Sequence, residues 1–77
     1  MPVTAYIMIK ANTGEADRLR DSVEDIEGVR SAYIVAGDVD IIASVQVDTP
    51  GQVKEIAATK IQSIRGVEDT QTYIAMD

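Results

Sequence analysis

The chain has 77 residues, of which 45% are hydrophobic and 26% charged, and its formal net charge is −6 at pH 7. A domain of this length buries only about 60% of the surface that its unfolded chain exposes, so we expect a lone copy to be marginally stable. The sequence contains no cysteine and no histidine, which excludes disulfides, thiol or imidazole catalysis and the usual zinc ligands. Thirteen acidic residues against seven basic ones disfavour direct binding to nucleic acid or to an anionic membrane surface.

The chain shows no sign of a membrane span or of secretion. No run of about 18 apolar residues occurs, and the N-terminus lacks the basic and apolar regions of a signal peptide. We therefore expect a single cytoplasmic domain over residues 1–77.

The first half of the chain predicts a strand, a helix and a second strand. Val3–Lys10 alternates in the way of a strand that is apolar on both faces. Thr13 is predicted to cap a helix that runs to about Ile26, and Gly28 follows where a left-handed cap residue belongs. Val29–Ala36 reads as the second strand. The buried stripe of the helix is predicted at Ala16, Leu19, Val23 and Ile26.

A hairpin then joins two strands at the centre of the sequence. Gly37 and Asp38 predict a two-residue turn, and Val39–Val47 alternates cleanly as the third strand. This turn places Ala36 opposite Val39, and the pairing decides which side chains share a face.

The last part of the chain predicts a second helix and a fourth strand. Thr49 followed by Pro50 is a helix start with proline at the first position. Gly66 ends the helix, and Val67–Met76 forms the final strand. The predicted buried stripe of this helix is Val53, Ile56, Ala57, Ile61 and Ile64.

The two halves of the sequence repeat one another. When the sequence is aligned with itself at an offset of 38 positions, Ala5 aligns with Ala43, Ile26 with Ile64 and Gly28 with Gly66. Two β-α-β units of this length predict an α+β, ferredoxin-like β-α-β-β-α-β fold. Its four-stranded antiparallel sheet carries both helices on one face.

The face of the sheet away from the helices is predicted to be apolar. A solvated monomer rarely exposes a continuous apolar patch larger than a few hundred Å². We therefore expect two sheets to pack together in a homodimer of the dimeric α+β barrel type, although scattered exposed apolar residues are also normal. The predicted interface residues are Tyr6, Met8, Tyr33, Val35, Ile42 and Tyr73.

Few residues suggest chemistry. Asp38 and Asp40 are two carboxylates near one turn, but Val39 separates them, and a hard metal ion needs more oxygen ligands than these. Local turn structure explains them equally well. Thr70 and Thr72 lie on one face of the last strand, where threonine is common. We predict no catalytic residues, no metal and no cofactor.

Taken together in this order, the motifs resemble a known family. Ile26-x-Gly28-Val29 follows the first helix, Gly37-Asp38-x-Asp40 forms the hairpin, and Ile64-x-Gly66-Val67 leads to Thr70-x-Thr72-Tyr73-Ile74. This set resembles the effector-binding (RAM) domain of the Lrp/AsnC, or feast/famine, transcription regulators, and the resemblance covers essentially the whole chain.

The resemblance implies a function. Members bind amino acids or related metabolites between subunits and form dimers that build octamers or other rings. By this resemblance, the effector contacts are Gly37, Asp38, Asp40, Thr70 and Thr72. Members often have Thr before the hairpin glycine and an aromatic residue before the second Asp, where this chain has Ala36 and Val39.

Full-length members also carry an N-terminal helix-turn-helix, whereas here Met1-Pro2 leads at once into the first strand. The resemblance therefore implies an effector domain without its own DNA-binding helix-turn-helix, which would act on full-length Lrp/AsnC regulators through mixed assemblies. Three alternatives remain: a purely structural oligomerisation module, a small dimeric α+β barrel enzyme, and an ACT domain with the same order of elements. The Gly-Asp-x-Asp hairpin favours the Lrp/AsnC interpretation over the last.

Overall fold

The computed structural model describes residues 2–12 and 14–77. Its strands are β1 (Val3–Ala11), β2 (Val29–Ile34), β3 (Ile41–Val47) and β4 (Val67–Ile74). Helix α1 spans Ala16–Glu24, and helix α2 spans Pro50–Lys54 and continues as a π-helix over Glu55–Ile61. The predicted order β-α-β-β-α-β is confirmed.

The four strands form one antiparallel sheet in the order β2-β3-β1-β4. Alternate residues of β1 and β3 are fully buried, as a sheet covered on one face requires. They form a single core cluster with the buried residues of the two helices. The helical members of that cluster are Leu19, Val23, Val53, Ile56, Ala57 and Ile61.

The register of the central hairpin is as predicted, but its strands end earlier. Ile34 lies opposite Ile41, and Tyr33 lies opposite Ile42. Beyond this pair, Asp40 donates its N–H to the carbonyl of Ile9 in β1, while its own carbonyl accepts from Val35. The backbone of Asp40 thus bonds both β1 and Val35, the residue after β2, and residues 35–40 form a loop in place of the expected two-residue turn.

The first helix is two residues shorter than its apolar pattern predicts, since it ends at Glu24 and not at Ile26. Ile26 still packs against the core as a partly buried residue. The predicted cap residue Thr13 lies outside the described residues. Glu15 precedes the first helical residue and accepts the N–H of Leu19 through its carbonyl at 3.1 Å.

The second helix begins as predicted and then widens. The hydroxyl of Thr49 accepts the N–H of Gln52, and the Gln52 side chain accepts the N–H of Thr49, which is a complete capping box. From Glu55 the helix is of the π type, which bonds residues five apart, and it ends at Ile61, before the predicted end at Gly66. Ile56 and Ile61 are five apart and both buried, so the wider turn brings both to the sheet.

Gly28 joins α1 to β2 in a conformation that other residues rarely adopt. Its φ angle is +100°, and a Cβ atom placed on it would lie 2.9 Å from both Ile56 Cδ1 and Val47 Cγ1. Only glycine combines this backbone angle with so close an approach of the second helix. The left-handed conformation is as predicted, but Gly28 does not cap α1, because that helix ends at Glu24 with Asp25 as its C-cap residue.

Candidate functional site

The hairpin loop between β2 and β3 is tied to the end of β1 by Asp40. Its Oδ2 accepts the backbone N–H of Ala11 at 2.8 Å, next to the point where the pairing of β1 with β4 shifts register between Lys10 and Ala11. The carboxylate thus satisfies a partly buried backbone donor at an irregularity of the sheet. Asp40 therefore positions the loop, and its Oδ1 is the oxygen left for another partner.

A crevice of about 290 Å³ lies beneath this loop, between the ends of β1 and β4. We call it the hairpin crevice. It contains one cationic side chain, Lys10, and two carboxylates, Asp38 and Asp69. The remaining lining residues are Met8, Val39, Thr70 and Gln71.

Opposite charges within one small crevice match the two charged groups of a free amino acid. The Lys10 ammonium can pair with an α-carboxylate, while the carboxylate of Asp38 can accept from an α-ammonium group. Asp69 is partly engaged, because its Oδ1 accepts the backbone N–H of Thr70 at 2.9 Å. The crevice thus offers a donor and acceptors for a zwitterion.

Of the five predicted effector contacts, the structure brings two together in this crevice. Asp38 and Thr70 line it, whereas Gly37 lies in the loop above and Asp40 is turned towards Ala11. Thr72 is not part of it. The roles of all five residues stay predictions.

Lys10, Asp69 and Gln71 line the crevice although they belong to none of the sequence motifs. The signal was available for Lys10, since its place in the β1 alternation puts it on the same face as Tyr6 and Met8. Asp69 and Gln71 follow from the register, in which Lys10 pairs with Asp69 and Met8 with Gln71.

The two threonines of β4 face the helices. Thr70 pairs with Ile9, and Thr72 pairs with Ile7, whose side chains are fully buried under the helices. Both threonines therefore line a second crevice, of about 390 Å³, between β4 and the second helix. We call it the helix crevice. Thr70 lines both crevices, so it lies between them.

The open face of the sheet carries exposed aromatic side chains. Tyr6 lies directly opposite Tyr73, and these two residues are 43% and 56% exposed. Tyr33 is 61% exposed and pairs with Ile42, which pairs on its other side with Met8. The predicted interface residues of the strands therefore share one face, and their role in an interface remains a prediction.

Two other kinds of site find no support in the described parts of the chain. Within residues 2–12 and 14–77, no group of three or more carboxylates is placed to hold a metal ion. Over the same residues, no helix has the length and apolar character needed to cross a membrane.

Comparison with known sequences identifies relatives. The sequence profile of the Lrp/AsnC ligand binding domain matches residues 4–77. The leucine-responsive regulatory protein of Klebsiella pneumoniae is 24% identical over 75 residues, covering 94% of this chain and 46% of that protein. The chain thus spans about half the length of the curated relatives it matches.

Comparison with solved structures agrees. TTHA0845 from Thermus thermophilus superposes with a TM-score of 0.92 at 25% identity, over 97% of this chain and 94% of that one. The transcriptional regulator NMB0573 of Neisseria meningitidis, solved as a complex with L-methionine, has a TM-score of 0.82 at 18% identity. That match covers 97% of this chain and 50% of the regulator. At such an identity the second likeness shows the fold alone.

Proposed function

The chain belongs to the Lrp/AsnC ligand-binding domain family, and on that premise we propose that it is a non-enzymatic regulatory module that binds a free amino acid. The observation that carries the proposal is the charge pattern of the hairpin crevice, where Lys10 shares a small space with Asp38 and Asp69. A free amino acid carries a carboxylate and an ammonium group on the same carbon. A site that holds a cation close to a carboxylate can therefore pair with both groups. The match of residues 4–77 to a family of ligand-binding domains supports a small-molecule ligand.

The proposed site lies between subunits. The hairpin crevice belongs to the open side of the sheet, where Met8 and Gln71 form its floor. This side also carries the exposed tyrosines, and burial of such a patch is the main driving force for association. A second copy packed on the patch would cover the crevice and exclude water from the ligand's charges, which strengthens every ion pair there.

Higher assemblies are part of the proposal. Dimers joined through the open face would associate into rings such as octamers, and the amino acid would shift the balance between these states. In the cytoplasm, the module would act on transcription through mixed assemblies with full-length Lrp/AsnC regulators, and it would not contact DNA itself because its net charge is −6.

A thermal-shift panel of the twenty amino acids tests the proposal. A ligand at about 100 times its dissociation constant stabilises the native state by about 2.7 kcal/mol. Each kcal/mol moves the melting temperature of a domain this size by roughly 4–8 °C, so a true effector is expected to raise it by about ten degrees or more.

Matched variants locate the site. Lys10→Met and Asp38→Asn each remove one charge from the crevice and should reduce the shift strongly. Asp48→Asn removes a carboxylate just beyond the far end of β3 and should leave the shift unchanged. A shift that persists in both crevice variants would place the ligand elsewhere. No shift with any amino acid would favour a purely structural oligomerisation module.

A further inference from the structure

The helix crevice lies where the second half of the chain has small residues and the first half has large ones. At the 38-position shift of the repeat, Leu19 corresponds to Ala57 and Arg20 to Ala58. Leu19 is fully buried, and the Nε atom of Arg20 is buried as well. Ala57 and Ala58 instead leave open the space between the second helix and β4, and both line the crevice.

Hydrogen bonds confirm that the two halves correspond at this place. In the first half, the Glu24 carboxylate of α1 accepts the backbone N–H of Ala32 in the edge strand β2 at 3.3 Å. In the second half, the Gln62 side chain donates to the Thr70 hydroxyl of the edge strand β4 at 2.9 Å. Gln62 and Thr70 are the equivalents of Glu24 and Ala32 at the same shift. Each half therefore joins the end of its helix to its edge strand, and in the second half a cavity of about 390 Å³ lies beside that joint.

The lining of the helix crevice is mostly apolar with one charge. Val53 and Ala57 are buried and form its inner wall, while Ile74 of β4 forms the outer one. Lys54 is the cationic member of the lining, and it takes part in none of the ion pairs found among the described residues. The Thr72 hydroxyl adds a donor. Since the Thr70 hydroxyl accepts from Gln62, its own proton is also free to be donated.

From this arrangement we propose that the helix crevice is a second ligand site, which binds a small carboxylate with a branched aliphatic tail. The tail occupies the space that the side chains of Leu19 and Arg20 fill in the first half. The carboxylate accepts from Lys54 and from the threonine hydroxyls. Among the described residues that line this crevice none is a carboxylate. An ammonium group would find no ion pair here, so a free amino acid is a poorer ligand here than in the hairpin crevice.

The volume is consistent with this class of ligand. Small-molecule pockets in proteins measure about 300–1,000 Å³, and a cavity of about 390 Å³ lies at the small end of that range. It suits a ligand of the size of a leucine side chain with a carboxyl group attached. The π-helical turns that carry Ala57 and Ala58 widen the helix at this place, and such turns are frequent at functional sites.

The test uses 4-methylpentanoate as the probe and its uncharged amide as the comparison, with amide chemical shifts of the isotope-labelled protein as the measurement. We expect saturable binding of the acid, with shifts concentrated at Val53, Ala57 and Ile74. The amide should bind about tenfold more weakly, since one charge-assisted hydrogen bond is lost.

Two pairs of variants separate the site from its surroundings. Ala58→Arg restores the residue of the first half and should abolish binding, while Thr59→Arg, one position along and outside the lining, should not change it. Lys54→Met should weaken binding about tenfold, while Lys60→Met removes a charge from the same segment without effect. Ala58 and Lys54 are both exposed, so neither change is expected to unfold the domain.

The outcome is independent of the proposed amino-acid function. Asp38→Asn should leave the affinity for 4-methylpentanoate unchanged, whereas it should weaken binding in the hairpin crevice. The proposal is overturned if the acid does not saturate the protein, if acid and amide bind equally, or if Ala58→Arg leaves binding intact.

Discussion

Replacement of Ile42 by aspartate should separate the proposed dimer into folded monomers. Ile42 lies in the middle of the open face, with Tyr33 opposite on one side and Met8 on the other. Burial of an isoleucine side chain contributes about 1.5–3 kcal/mol, and an unpaired carboxylate at a dry interface costs several kcal/mol more. A twofold interface contains the substitution twice.

The lost burial and the unpaired carboxylate together determine how far Ile42→Asp weakens the dimer. About 4 kcal/mol or more of lost association free energy corresponds to a dissociation constant raised roughly a thousandfold, since 1.4 kcal/mol is a factor of ten. Within a single copy the cost is smaller, about 1 kcal/mol of strand propensity, because Ile42 is already partly exposed there.

Sedimentation equilibrium over a wide concentration range measures the association, and circular dichroism reports the fold. The unmodified protein should be a dimer or larger at micromolar concentration, and Ile42→Asp should be a monomer with an unchanged circular dichroism spectrum. Ile34→Asp is the matched control, because Ile34 is exposed in the same hairpin but lies on the helix-covered side at the sheet edge. A well-folded monomer for the unmodified protein, or a dimer that survives Ile42→Asp, would refute the argument.

Three further predictions concern the fold and its charge. Asp40→Ala should destabilise the domain by about 1–3 kcal/mol, since the Ala11 N–H loses its acceptor. Urea unfolding measures the loss of stability, and faster hydrogen exchange of the Ala11 amide reports the lost bond. A loss of stability no larger than that caused by Asp38→Ala would contradict this prediction. Gly28→Ala should lower the free energy of unfolding by about 1–3 kcal/mol because of the positive φ and the 2.9 Å approach of Ile56 and Val47. Gly51→Ala, where the new methyl group meets only an ordinary contact at 3.8 Å, should be neutral or stabilising in the same unfolding experiment. Finally, fluorescence anisotropy should detect no binding to duplex DNA at physiological salt, because the net charge is −6; sub-micromolar affinity would be incompatible with this view.

Much of the fold could be predicted from the sequence because several local signals agree. Alternation in Val3–Lys10 and Val39–Val47 identifies the central strands, and the glycines at 28 and 66 each stand directly before an edge strand. Thr49 with Pro50 locates the second helix start to the residue, since the capping box needs that side chain there. The repeat of the two halves then leaves few possible topologies.

The errors lie where backbone irregularity overrides the pattern. The sequence predicts a two-residue turn at Gly37 and Asp38, whereas residues 35–40 form a loop in which the Asp40 backbone bonds both β1 and Val35. The π-helix was not predicted, although the five-residue spacing of Ile56 and Ile61 is compatible with it. Apolar periodicity identifies the buried face of a helix, but it does not distinguish a narrow helix from a widened one.

The candidate site was less predictable than the fold. The resemblance indicates the hairpin residues together with Thr70 and Thr72. Which of these side chains lie close together depends on the register of β4 against β1. No tight turn joins these two strands, so the sequence does not determine that register. In the structure, Thr72 faces the helices. Lys10 lines the hairpin crevice together with Asp38, although no sequence motif includes Lys10. Charge complementarity within the crevice could be seen only once β1, β4 and the hairpin were assembled.

The most direct test of amino-acid binding is a crystal structure of the protein with the amino acid that gives the largest thermal shift. The account predicts that the ligand lies in the hairpin crevice under a second copy, with its carboxylate at the Lys10 ammonium and its ammonium group within hydrogen-bond distance of Asp38 or Asp69. A ligand bound away from all three residues, or with its two charged groups reversed, would contradict it.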